Sequence, residues 1–390
     1  MHISVPKPSG RLRIRRGEYK IPGGKLVAVQ VYDIDDALQR VVLDGDFFID
    51  GVDNPNAVVQ LIERTLCVAS GQAAMDAVHR AYPTAQCVGL SAEALDKALA
   101  RARGENIPSA APRGEAQHKD SIDALSFTWN NLHLTVLDDD QPHTPAMHMA
   151  LDELLARQVA QGQREPTLRF WQWAGNAVII GLHQSLSNEV DEQRAKDLDF
   201  SVVRRITGGG AMFVEPGNTI TYSLYVPADF LSGVSGYEAY KRCDEWALLA
   251  LNNLGIQAQY KPINDITSPA GKIGGAAQRL FRSHTVDGPG CVLHHVTMAY
   301  DIDAARMMDV LRISREKISD KAVKSAAKRV DPLKSQTDLN RDDLCAALQH
   351  QALSIIPHTK HGALDEQTIQ EAEQLAHEKF ESFAWTHAIA

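Results

Sequence analysis

Three consecutive glycines, Gly208, Gly209 and Gly210, follow an apolar run at residues 200–203 and the pair Arg204-Arg205. The apolar run reads as a short buried strand, and the glycines end it. Without a Cβ, no side chain stands between their backbone N–H groups and whatever approaches. Successive amides of this kind form a concave nest that suits phosphate. The two arginines add planar donor forks that match phosphate or carboxylate oxygens. Taken alone, the run also fits a glycine-rich hairpin turn beside two solvated arginines. It is not a Walker loop, because no Gly-Lys-Ser/Thr ending follows, and it is not a dinucleotide fingerprint, because no helix follows. Ala211, Met212, Phe213 and Val214 read as a strand, 215–218 as a turn containing Gly217-Asn218, and 219–226 as a second strand. The loop is therefore expected in an antiparallel sheet and not on a helix dipole.

Two further clusters lie downstream. Asn264-Asp265 is followed by Gly271-Lys272-Ile273-Gly274-Gly275-Ala276-Ala277. Lys272 stands among small residues, where a ligand can approach the strand closely and meet a point charge; an exposed hairpin lysine is the alternative. His294-His295 sits in a strand-like stretch. Adjacent strand residues point to opposite faces, so only one of the two can share a site with Lys272, and a metal-binding pair is not expected.

With 390 residues the chain is long enough for two domains and a large core. The net charge of −9 argues against a general nucleic-acid binder. No apolar run reaches membrane-spanning length, and the first residues lack the apolar core of a signal peptide. Five scattered cysteines without C-x-x-C spacing support neither a zinc site nor a disulfide framework. A cytoplasmic, reducing compartment is the simplest expectation. A stretch at 104–125, rich in Pro, Gly and Ala and then polar, reads as a linker. Residues 1–103, with strands near 25–31 and 40–49 and helices at 56–69 and 91–103, read as a small α+β domain. Residues 126–390 read as a second α+β domain built on a mixed, mostly antiparallel sheet. Its helices are expected at 146–161, 237–254, 302–312 and 340–356.

Taken together, the clusters resemble the lipoate–protein ligase A family. The resemblance spans residues 128–390 in order: Met149-Ala150-Leu151-Asp152-Glu153, Leu168 to Trp171, Ile179-Ile180-Gly181 with Gln184, and Arg204 to Phe213 with Gly217-Asn218. It continues through Asn264-Asp265, Lys272 to Ala277, Leu293 to Thr297, and Lys324-Ser325 with Arg329-Val330. Met212 and Val296 depart from the family's valine and glycine. Residues 19–27 and Gly45-Asp46-Phe47-Phe48 resemble the family's accessory domain, which in many members follows the catalytic domain or is a separate chain. The resemblance implies a catalytic fold of the biotin/lipoate ligase type. It also implies ATP-dependent attachment of lipoate, via lipoyl-adenylate, to a lysine of a lipoyl carrier domain. The carriers would be 2-oxoacid dehydrogenase complexes or the glycine cleavage H protein.

By the same resemblance, Lys272 is the central cation on the acyl oxygen and α-phosphate. Arg205, Gly208, Gly209, Gly210, Ala211, Met212, Phe213 and Asn218 line ATP or the adenylate. Gly275 and His294 join Lys272 on lipoate, and Asp265 helps hold Mg²⁺. Trp171 and Val178 are candidates for the lipoate pocket, with core packing the default for both. The cationic stretch Lys321, Lys324, Lys328, Arg329 and Lys334 reads as a closing loop or a carrier-docking segment, or else as a solvated face. A related chemistry, octanoyl transfer through a cysteine thioester, requires a nucleophilic thiol, for which Cys291 is the nearest candidate. A non-catalytic lipoate- or biotin-binding module is the remaining alternative.

Overall fold

The protein is described by a computed structural model for residues 11–21, 24–35, 37–109, 124–137, 139, 141–285, 287–312 and 330–389. Residues 11–107 enclose a core of their own. Strands β1 (Leu12–Lys20), β2 (Leu26–Ile34) and β3 (Ala37–Gly45) form an antiparallel sheet in the order β1-β2-β3. Helices Pro55–Leu66 and Ala92–Ala102 pack on it, and helix Gly71–Ala81 packs against both of them. Val27, Val29 and Val31 of β2 meet Ile62, Leu66, Leu95 and Leu99 in this core. Asn54, Ser70 and Ser91 cap the three helices by accepting from backbone amides, which fixes each start. A short β4 (Phe48–Asp50) pairs with β5 (Gln86–Val88). β1 and the middle helix escape the sequence reading. The arginines at 13, 15 and 16 obscure alternation in β1, and the 71–81 helix lies between stronger signals.

The remainder is built on β6 (Leu134–Leu137), β7 (Thr167–Trp171), β8 (Ala177–Ile180), β9 (Ser201–Arg204), β10 (Met212–Val214) and β11 (Thr219–Val226). β12 (Gln259–Lys261), β13 (Asp265–Thr267), β14 (Lys272–Phe281), β15 (Cys291–Ala299) and β16 (Thr359–Gly362) follow. Among the described residues these make an eight-stranded mixed sheet, β12-β13-β14-β15-β11-β7-β6-β16, and a three-stranded sheet, β10-β8-β9. Only β6 with β7 and with β16 run parallel in the large sheet. Helices Tyr237–Asn253 and Arg341–Ile355 cover one face through Trp246, Leu251, Leu344 and Leu348. On the other face, helix Pro145–Ala160 and the small sheet share a core of Leu151, Leu155, Ile179, Val203 and Leu293. Gly255 ends the 237–253 helix with φ +81°, the left-handed conformation that suits glycine. Among the described residues no helix is long and apolar enough to cross a membrane.

One expectation is corrected here. The strands on either side of Gly217-Asn218 do not form a hairpin. β10 pairs with β8 in the small sheet, and β11 pairs with β7 and β15 in the large one. The glycine-rich loop therefore crosses the end of β8, joining its two outer neighbours β9 and β10.

Candidate active site

The face of the large sheet that looks toward the small sheet carries the site. The pairing of β13 with β14 shifts register near Ile266 and Thr267, so that Thr267 faces Lys272 while Ile266 faces Gly274. Such an irregularity re-aims side chains: Ile273 and Ala276 belong to the helix-side core, and Lys272 lies with Gly275 on the other side. The Lys272 ammonium hangs over Gly275, where a methyl group would come within 3.0 Å of Nζ. It donates to Asp265 Oδ1 at 2.7 Å and remains 44% exposed. Burial alone would raise the Asp265 pKa, but Lys272 and Lys25 outweigh it, and the carboxyl lies below its ordinary range. The Lys272 carbonyl accepts from the Asp331 amide at 2.8 Å, which lays Val330 alongside it. Lys321, Lys324, Ser325, Lys328 and Arg329 lie outside the described residues; Lys334 pairs with Asp301.

Ala277 pairs with His295 and Gln278 with His294. The alternation of β15 therefore divides the two histidines. His295 is the one on the site face. Its Nδ1 lies 2.7 Å from Asp152 Oδ2 and its Nε2 lies 2.8 Å from Thr207 Oγ1. Burial lowers the imidazole pKa, so at neutral pH Nδ1–H donates to Asp152 and Nε2 accepts from the Thr207 hydroxyl. His294, expected on lipoate, points the other way. Its Nε2 lies 2.6 Å from Asp244 Oδ1 and its Nδ1 2.9 Å from the Gln278 amide, both fully buried beneath the 237–253 helix.

Arg205 also differs from expectation. It is buried, and its donors go to the carbonyls of Gly208, Gly210 and Ile179 and to Thr207 Oγ1. Burial pulls its pKa down only to about 10, so it stays charged. It braces the loop from beneath and does not reach over it. Arg204, on the opposite side of β9, is spent on carbonyls of Gly181, Gln184, Thr386 and Ile389. A chain of contacts, Asp152 to His295 to Thr207 to Arg205, thus ties helix Pro145–Ala160 and β15 to the loop. In the sequence Asp152 stood out only as part of the 149–153 motif, with no role assigned to it.

The upper side of the loop meets the N-terminal domain. The Gly45 amide donates to the His183 carbonyl at 3.0 Å, the Gly209 amide to the Phe47 carbonyl at 3.4 Å, and Gln184 Nε2 to Asp46 Oδ1 at 2.8 Å. The Phe47 ring stacks on His183 with centroids 5.0 Å apart. A methyl on Gly208 would lie 2.5 Å from the Phe47 carbonyl oxygen, and one on Gly209 2.9 Å from the Phe48 ring. Gly208 and Gly209 are thus small because the 45–48 segment lies against them. Gly210 faces the Asp46 carboxylate. Ala211 and Met212 are half-buried, and Phe213 stacks on Phe200. Asn218 lines an open cleft of about 620 Å³ with Asn176, Glu215, Asp301, Asp303 and Arg306. Its carbonyl accepts from the Tyr300 amide at the same end of the sheet as Gly274 and Gly275. Trp171 and Val178 are fully buried in the core.

Among the described residues no three His, Cys, Asp or Glu side chains gather to hold a metal. Asp265, expected to help hold Mg²⁺, has Oδ1 engaged by Lys272. The residues present form an ion pair and not a resident Mg²⁺ cage. Cys291 is fully buried in apolar surroundings, and burial pushes its thiol pKa well above the ordinary value. Cys243 and Cys345 are buried as well, and Cys67 and Cys87 are half-buried in the N-terminal domain.

The sequence profile of the lipoyl protein ligase A/B catalytic domain matches residues 144–352, which contain Lys272, the glycine-rich loop and both histidines. The chain is 28% identical over 241 residues to the probable lipoate-protein ligase A of Mycoplasma pneumoniae, covering 62% of this chain and 68% of that protein. It is 26% identical over 234 residues to the octanoyltransferase LipM of Macrococcus caseolyticus, covering 54% and 80%. Among solved structures, the bipartite lipoate protein ligase of Thermoplasma acidophilum superposes with a TM-score of 0.56 at 25% identity, over 66% of this chain and 98% of that one. With more than half of its length inside the matched profile, the chain belongs to the lipoyl protein ligase A/B family.

Proposed function

We propose that the protein activates lipoate with ATP as lipoyl-adenylate and passes the acyl group to a lysine of a lipoyl carrier domain. The observation that carries this is the half-exposed Lys272 ammonium, held by Asp265 over the bare backbone of Gly275. In the first step a lipoate carboxylate oxygen forms a bond to the α-phosphorus, and the bond to pyrophosphate breaks. Negative charge grows on phosphate oxygens, and a fixed ammonium in a partly desolvated site stabilises it. In the second step the carrier amine attacks the acyl carbon and AMP leaves. Gly275 leaves room for lipoate beside Lys272. The 205–213 loop, braced by Arg205, and Asn218 in its open cleft bound the space for the nucleotide. Mg²⁺ enters with ATP as its companion ion. A related fold has been solved with ATP bound, and the Thermoplasma ligase belongs to a lipoylation system with an E2 lipoyl domain. Carrier domains of 2-oxoacid dehydrogenases or the glycine cleavage H protein are the corresponding partners here, and the cytoplasm is the compartment.

Similarity to octanoyltransferases makes thioester transfer the second reading. That chemistry requires an accessible thiolate. Cys291 is sealed in the core with a raised pKa, which favours the ligase. The test is lipoate-dependent exchange of labelled pyrophosphate into ATP by the full chain, run beside octanoyl transfer from acyl carrier protein. Exchange without octanoyl transfer supports the ligase; octanoyl transfer without exchange contradicts it.

A further inference from the structure

We propose that Lys25 is the N-terminal domain's own contribution to acid activation: a second ammonium, delivered by docking, that holds the phosphates of ATP. The inference rests on the adenylation reading above. Lys25 immediately precedes β2, whose valines lie in the N-terminal core, so its position is fixed by that domain. Its Nζ reaches across the interface to Asn264 Oδ1 at 2.6 Å. Asn264 is held by its own amide on the Ala276 carbonyl, and it directly precedes Asp265, the partner of Lys272. Lys25 also stands 5.2 Å from the centre of the Phe48 ring, in the segment that packs on Gly208 and Gly209. Docking thus brings the Lys25 ammonium close enough to Asp265 and Lys272 for both to act on its charge.

The contact partners of Lys25 argue for more than a docking bond. Its hydrogen bond goes to a neutral amide, although the residue is half-buried. A desolvated ammonium without a carboxylate at contact distance is unfavourable, and burial lowers its pKa to about 8. The charged groups facing it are Asp265 and Asp46, which attract, and Lys272 and Lys20, which repel. A polyanion between Lys25 and Lys272 relieves both the desolvation and the repulsion. ATP is the polyanion this reaction uses. As the carboxylate–phosphorus bond forms, the electron pair of the breaking bond leaves on pyrophosphate, and Lys25 holds that charge without gaining or losing a proton.

The test uses the full chain and measures kcat and KM for ATP in lipoate-dependent pyrophosphate exchange from about pH 6 to 10, for wild type, Lys25→Arg and Lys25→Met. The expected result is a loss of ~10²–10³ in kcat/KM for ATP in Lys25→Met. Wild-type kcat/KM should fall as pH rises through about 8, where Lys25 loses its proton, and Lys25→Arg should hold its rate to higher pH. Hydrogen exchange at the Gly45 and Gly209 amides reports whether Lys25→Met stays docked. If it undocks, the Lys25→Arg pH profile decides alone. Exchange comparable to wild type in docked Lys25→Met, or a Lys25→Arg profile that declines with the wild type's, overturns the proposal. A wild-type chain with no exchange at all overturns the ligase reading itself, and this inference with it.

Discussion

At Lys272 an ammonium stands over a glycine backbone, and its rigidity comes from one carboxylate, Asp265, at 2.7 Å. Replacing it with alanine removes the cation without opening a core cavity, since the half-exposed side chain belongs to no core. Lys272→Ala should therefore lose ~10²–10³ in the rate of adenylate formation while its melting temperature stays close to wild type; near-normal pyrophosphate release would contradict its role. His294 is the opposite case. It is sealed between Asp244 and Gln278, and its removal strands buried hydrogen-bonding groups. His294→Ala should cost roughly 1–3 kcal/mol of stability in denaturant unfolding and leave the KM for lipoate unchanged. A raised KM without destabilisation would return His294 to the ligand. The sequence shows that the two histidines face opposite ways. It does not show which face is the site, because that depends on which helices cover which side. The small residues around Lys272 were legible in the sequence, but the register shift that sets its ammonium over Gly275 was not. Arg205 lies beneath the loop and donates to the carbonyls of Gly208, Gly210 and Ile179 and to Thr207 Oγ1, so a fork of donors that reads as open in the sequence is engaged within the loop itself.

The glycine-rich loop is the element on which both domains meet. A methyl on Gly208 meets the Phe47 carbonyl oxygen at 2.5 Å and the Phe48 Cα and ring at 3.1 Å, so the tightest clash is with backbone. Gly208 does not occupy the left-handed region, so alanine there tests the contact and not the backbone conformation. Gly208→Ala is expected to displace the 45–48 segment, seen as faster hydrogen exchange at the Gly45 amide, and to lower adenylation in parallel. Unchanged exchange protection would mean that the close approach is absent in solution. A run of glycines predicts close approach by something, which the sequence makes plain. It does not say that the visitor is the chain's own backbone from more than a hundred residues earlier. Nor could adjacency reveal that β10 and β11, separated by a four-residue turn, enter different sheets.

In the whole molecule, the N-terminal sheet and helices are joined to the rest through Gly45 to Phe48, Lys25 with Asn264, and Arg282, whose Nη2 donates to the Gly51 carbonyl and Thr84. The N-terminal domain contributes to the space over the loop but to none of the strands that carry Lys272 or His295. A 126–390 fragment, once shown to be folded by circular dichroism, is therefore expected to lose adenylation and to retain acyl transfer from synthetic lipoyl-adenylate. Full adenylation by the fragment, or no transfer, would refute this division of labour. The periodic elements made an N-terminal sheet with helices, apart from the large mixed sheet, legible. Their docking was not, because it rests on a few long-range contacts between segments that are ordinary in isolation.

The central claim is that this family member makes an acyl-adenylate. The most direct measurement is mass spectrometry of a quenched mixture of the full chain, ATP, Mg²⁺ and lipoate, with no carrier domain present. The mixture should contain lipoyl-adenylate and pyrophosphate, with Cys291→Ala giving the same products. Absence of the adenylate, together with an octanoyl thioester trapped on a cysteine from acyl carrier protein, would contradict it.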